Sequence, residues 1–159
     1  MSRFVLGEFR RSLDDRFRVS IPAELADSLQ DADESKYILA KERPGAVSVW
    51  HSEDWGERLE NDVQLIRSKI QAGRLKDRMA DVQLLGRLLS TRHKEVQIAG
   101  RGRLSIPEGF REFLGIEPGG EAVIIGAAVC IEIWRPDAWI AYLSEQIPQF
   151  GKIVEELAS

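Results

Sequence analysis

"RVSIP", Arg18–Pro22, returns 85 residues later as "RLSIP", Arg103–Pro107. All five positions agree in chemistry, and the one change is Val19 to Leu104. A second pair of stretches repeats at almost the same distance. "VSVWHSEDW" (Val47–Trp55) and "IEIWRPDAW" (Ile131–Trp139) lie 84 residues apart, and each is an alternating run ending in Trp with a second Trp five positions on. All four tryptophans are used by this one pattern. Two collinear matches at nearly constant offset mark an internal duplication.

Each copy reads in the same order. An extended segment comes first ("EFRRSL"; "HKEVQIA"), then a tight turn ("DDRF"; "GRG"), then the strand that carries Arg-x-Ser-Ile. Proline follows at the expected first position of a short amphipathic helix, where its missing N–H costs nothing. Those helices are "PAELADSL" and "PEGFREFLG", the second stopped by Gly115. Strands then follow: "KYILAKERPGAVSVW" turning at Pro44-Gly45 in the first copy, "AVIIGA" and "VCIEIW" in the second. Period-two alternation turns one face of "VSVW" and "IEIW" inward, and each Trp pair bridges a strand end and a helix start.

Between the copies, Ser52 is an expected N-cap, with Glu53 and Asp54 in the first helical turn. Leu59, Val63, Ile66 and Ile70 recur at helical spacing, "AG" at 72–73 breaks the run, and Leu75, Met79, Val82, Leu85 and Leu89 form a second stripe. The organisation expected is therefore α+β: a first unit at 4–55, a helical pair at 56–90 linking the units, a second unit at 91–143, and a C-terminal tail at 144–159.

Composition narrows the function. An apolar share of 43% with 30% charged residues fits a globular chain rather than a disordered one. No apolar run reaches the ~20 residues of a membrane helix, and the N-terminus has no apolar core of a signal peptide, so a cytoplasmic protein is expected. Lone Cys130 sits in "AAVCIEIW" as a small buried hydrophobe, and His51 and His93 lack neighbours at metal-ligand spacing. No G-x-S-x-G, phosphate loop or catalytic Cys–His arrangement is present, which points away from an enzyme and from any cofactor or small-molecule substrate.

A net charge of −4 is unusual for a nucleic-acid binder, but its distribution is uneven. Residues 1–20 hold five arginines against three acids, a local +2, and residues 91–105 hold Arg92, Lys94, Arg101 and Arg103 against Glu95, a local +3. Both basic windows run straight into the repeated phrase. Ile21, Pro22, Ile106 and Pro107 are explained by folding alone, and Ser20 and Ser105 by helix capping. Arg18 and Arg103 are different, because a guanidinium just past a tight turn suits phosphate or a guanine edge, donating in pairs.

The duplicated pattern resembles the MraZ family, the regulators encoded with the bacterial division and cell-wall gene cluster. "LDDRFRVSIP" supplies that family's Asp-x-x-x-Arg motif as Asp14 and Arg18, and "IAGRGRLSIPEGFREFLGI" supplies Gly102 and Arg103. "MADVQLLGRLLSTRHKEVQI" and "IEIWRPDAW" are also similar to the family, so the likeness covers most of residues 4–143. It implies two tandem AbrB-like units of the SpoVT-AbrB, double-split β-barrel type. It implies a nucleoid-associated, DNA-binding transcriptional repressor, assembled as a homo-oligomeric ring that presents hairpins to repeated upstream elements in double-stranded DNA. Carried over by position, Arg18 and Arg103 face DNA, Arg16 and Arg101 are nearby phosphate contacts, and Asp14 orients Arg18.

Three positions depart from the family pattern: Ala99 stands in place of the second aspartate, Phe17 in place of a glycine, and Leu6 in place of an arginine ahead of Gly7. The first two departures either tune specificity or leave one hairpin no longer reading DNA. The competing expectation is an oligomeric protein-interaction scaffold that keeps the fold and has lost DNA reading. The two differ in salt response, since phosphate contacts give a log–log slope of about −0.9 each.

Overall fold

The computed structural model describes residues 4–29 and 36–159. Eight strands, β1 (Val5–Ser12), β2 (Arg18–Ser20), β3 (Lys36–Arg43), β4 (Ala46–His51), β5 (His93–Ala99), β6 (Arg103–Ser105), β7 (Glu121–Ala128) and β8 (Ile131–Trp134), lie in the order β1-β7-β8-β4-β3-β5-β6-β2. Every pairing is antiparallel. The order returns β2 to the end of β1, where the Asp14 N–H donates to Arg18 O at 3.0 Å, so the sheet is a nearly closed barrel. The chain is α+β, and its two halves are tandem AbrB-like units.

The halves interlock about a pseudo-twofold axis. The first strand of each half pairs with the third strand of the other: β1 with β7, and β5 with β3. On the axis, equivalent strands pair with each other and equivalent residues face. Ser48 lies opposite Glu132 in the β4–β8 pair, and Val19 lies opposite Leu104 in the β2–β6 pair. The single position at which the repeated phrases differ is thus where the phrase meets its own copy. Val19 and Leu104 are 1% and 0% exposed, in a core shared with Leu13, Ile21, Leu39 and Ile106.

Helices α1 (Ala23–Leu29) and α4 (Glu108–Leu114) follow the two phrases, and Leu25, Phe110 and Leu114 drive their inner faces into that core. Both helices begin one residue later than the sequence suggests. Pro107 is the N-cap, with φ −64° and an extended ψ of 155°, because the strand must leave the sheet before the helix can turn. Pro22 O accepts Leu25 and Ala26 N–H, and no side chain caps α4, so Ser105 does not serve as its cap. Gly115 closes α4 in the left-handed conformation at φ 75°.

Helix α2 (Ser52–Gln71) starts directly from β4, with His51 at the N-cap and Ser52 already helical, since the strand leaves no residue between. Gly73, at φ 70°, ends that run, and a 3₁₀ turn at Lys76–Arg78 leads to α3 (Met79–Thr91). Helix α5 (Pro136–Gln146) packs Trp139 and Tyr142 on Trp134, against a second small core with Val123 and Ile125. The Trp pairs sit as the alternation implies, Trp50–Trp55 with centroids 5.6 Å apart and Trp134–Trp139 at 5.2 Å. The chain stays helical to its end, through a 3₁₀ turn at Ile147–Gln149 and α6 (Phe150–Ala158). Among the described residues, no helix is long and apolar enough to cross a membrane.

Candidate nucleic-acid interface

The β2–β6 pair has one buried face and one outward face. Val19 and Leu104 point in, so period-two alternation points Arg18, Ser20, Arg103 and Ser105 out. The register sets Arg18 opposite Ser105 and Ser20 opposite Arg103, which places the two arginines diagonally across the axis. Arg18, Arg101 and Arg103 line one shallow concavity with Ser105, Ala99 and Gly100. Arg16 is exposed on the first turn outside that concavity, and Asp14 stands behind Arg18.

The first turn is built around Asp14. Its Oδ1 accepts the N–H groups of Arg16 at 2.8 Å and Arg18 at 2.9 Å, an Asx-type turn, and Phe17 N–H donates to its carbonyl at 3.1 Å. Its Oδ2 accepts the Arg18 Nε–H at 2.8 Å. These bonds hold the Asp14 carboxyl below its ordinary 3.8, the Arg18 backbone N–H contributing most, with partial burial opposing and the Arg16 N–H and Arg18 guanidinium adding to the drop. Asp14 thus grips the Arg18 backbone as well as its side chain. Arg18 spends its Nε on this bond, and its Nη groups have no hydrogen-bond partner among the described residues.

The second turn lacks this anchor, because Ala99 has no carboxylate. It closes instead as a 3₁₀ turn over Gly100–Gly102, with Arg101 at φ 69° and Gly102 at φ 74°. Arg101 and Arg103 are exposed, and neither makes an ion pair or side-chain hydrogen bond among the described residues.

Phe17 occupies the position equivalent to Gly102 and takes the same left-handed backbone, at φ 58°. The turns thereby make the same bond to the opposite half: Ile21 N–H donates to Gly102 O at 2.7 Å, and Ile106 N–H donates to Phe17 O at 2.8 Å. The half-buried Phe17 ring packs on the core, and the Arg111 guanidinium lies 4.3 Å from its centroid. Arg111 Nε–H also donates to Ile106 O at 2.8 Å. Sequence reasoning missed Arg111. Its one signal is asymmetry: 85 positions earlier the first half has Ala26, so the arginine and the phenylalanine each occur in one half only.

Comparison with known proteins agrees with this architecture. The family model described as "MraZ protein, putative antitoxin-like" matches residues 90–157. The chain is 29% identical over 152 residues to the transcriptional regulator MraZ of Heliobacterium modesticaldum, covering 96% of this chain and 95% of that relative. It is 27% identical to the protein of the same description from Syntrophomonas wolfei and 26% identical to that from Acetivibrio thermocellus, each over 152 residues with the same coverage.

Proposed function

We infer that the chain is a transcriptional regulator of the MraZ family, not an enzyme, and from that premise that it is a sequence-specific DNA-binding repressor of the division and cell-wall gene cluster. The observation that carries this reading is the outward face of the β2–β6 pair, where Arg18, Arg101 and Arg103 share one concavity on a rigid, axis-centred ladder. A two-stranded ribbon of this kind fits the major groove. Arg16 adds charge at the rim for phosphate contact, and Asp14 orients Arg18 without touching DNA.

One such face makes few contacts, and a net charge of −4 gives no general attraction to DNA. Affinity then comes from several faces acting together on repeated upstream elements. Exposed apolar side chains supply material for a homo-oligomer, a ring in this reading: Leu65, Leu84 and Leu88 on the linking helices, and Phe150, Val154 and Leu157 on α6. Such a regulator works in the cytoplasm at the nucleoid and uses no cofactor.

The deciding experiment is fluorescence-polarisation binding of the full-length protein to duplex DNA from upstream of its own gene, over a salt series, with light scattering for the oligomer. Binding whose affinity falls linearly in log–log terms with salt, and which the double variant Arg18→Ala/Arg103→Ala abolishes, is expected. A folded oligomer with no preference for that DNA at any salt would overturn the reading in favour of a protein-interaction scaffold.

A further inference from the structure

Resting on that DNA-binding reading, we propose that the two hairpins divide the work, Arg18 reading base sequence and Arg103 holding phosphate, with Arg111 as the positioning residue that keeps the first hairpin in its reading geometry. Direct readout of guanine needs a guanidinium fork held in one orientation, whereas a phosphate accepts a donor from many directions.

Only the first hairpin meets the stricter demand. Arg18 is gripped at Nε and at its backbone N–H by Asp14, which leaves the Nη pair as the donating edge. Arg103 has Ala99 in the place of that carboxylate and is exposed. Its turn carries two consecutive left-handed residues, Arg101 and Gly102, of which the second is glycine and needs no support.

The first turn does need support, because a bulky residue at φ 58° is an unfavourable conformer. Arg111 provides it from the opposite half. Its guanidinium covers the Phe17 ring, its Nε–H binds Ile106 O, and the Ile106 N–H binds Phe17 O. The result is a closed circuit of Phe17, Ile106 and Arg111 that ties the turn preceding Arg18 to α4. The equivalent circuit is absent from the second hairpin, where position 26 is alanine and the residue equivalent to Phe17 is Gly102.

The test measures binding of the full-length protein to two fluorescent duplexes, the upstream sequence and a scrambled sequence of equal length and composition, each over a salt series. Arg18→Ala should cut the preference for the upstream duplex by about 5- to 150-fold while leaving scrambled binding nearly unchanged. Arg103→Ala should weaken both duplexes alike and reduce the salt slope by about 1 per subunit engaged. Arg111→Ala should lower the preference as Arg18→Ala does, with the salt slope intact, and Phe17→Gly placed in that background should restore it.

A purely structural Arg111 would instead weaken both duplexes together. That result, or equal loss of preference in Arg18→Ala and Arg103→Ala, would overturn the division. Should Arg111→Ala fail to fold, Phe17→Gly/Arg111→Ala carries the test, and loss of preference in that folded double variant would count against it equally. A wild-type protein with no preference between the duplexes would remove the DNA reading itself, a failure distinct from that of the division.

Discussion

Asp14 shows how one short side chain sets the geometry of a longer one. Its carboxylate takes two backbone N–H groups and the Arg18 Nε–H, so the turn and the guanidinium are ordered by the same group. Because its folded-state pKa is depressed, the stability it contributes is present above the unfolded value near 3.8 and is lost as pH falls through the lower folded value. Asp14→Ala should therefore lower Tm by a constant amount between pH 5 and pH 8, a difference that shrinks below pH 3.8, as scanning calorimetry over that range would show. The pairing of Asp14 with Arg18 was legible through the resemblance, but its grip on the backbone was not, since sequence does not say which oxygen faces which amide. Cys130 was legible outright. Burial first, then Glu132 and Glu42, push its thiol up to about 12, so a thiol reagent at pH 8 should label it only after denaturant is added.

At the level of elements, strands and turns were read well because alternation and glycine–proline punctuation act locally, and ends were read less well. Ile147, Phe150, Val154 and Leu157 stand at helical spacing in the segment expected only as a C-terminal tail, and Pro148 lies in the first positions of a new helical turn, where proline is tolerated. The two equivalent turns respond oppositely to substitution. A Cβ on Gly102 would collide with the Ile21 carbonyl oxygen, on a backbone at φ 74°. Gly102→Ala should cost at least about 1–3 kcal/mol, read as a Tm fall of about 2–4 °C per kcal/mol. Phe17→Gly relieves backbone strain while losing ring packing, and its Tm should change less. On β8, burial raises the Glu132 carboxyl above its ordinary 4.5, the Trp134 indole N–H opposing and Glu42 adding to the rise. A raised acid favours folding fully below 4.5 and loses that advantage as pH climbs through the folded value. Glu132→Gln, which keeps an acceptor for Trp134 Nε1–H, should thus raise Tm at pH 8 and leave it unchanged at pH 4, read by scanning calorimetry at the two pH values.

At the scale of the whole molecule, the duplication was plain from two offsets, 85 and 84, while the way the copies interlock was not. Alternation within β1 or β3 tells which face is buried and nothing about which strand lies alongside. The partner of β1 is β7, more than a hundred residues on, and the partner of β5 is β3 in the other half. Each half therefore leaves one edge of each of its four strands to be paired by its counterpart, β1 by β7, β2 by β6, β3 by β5 and β4 by β8. A chain ending after α3 would expose those edges, together with the Val19 surface that Leu104 covers. Expressed alone, residues 1–91 should be unfolded or should pair with a second copy of themselves in place of the missing half, distinguished by circular dichroism and light scattering. A folded, monomeric half would contradict the interlocked barrel. In the intact chain the same argument requires cooperativity. Trp134→Phe/Trp139→Phe, which leaves its emitting tryptophans in the first half, should unfold with one transition that coincides with the loss of far-ultraviolet signal from the whole chain. Two separated transitions would mean that the halves are coupled less tightly than β1–β7 and β3–β5 pairing demands.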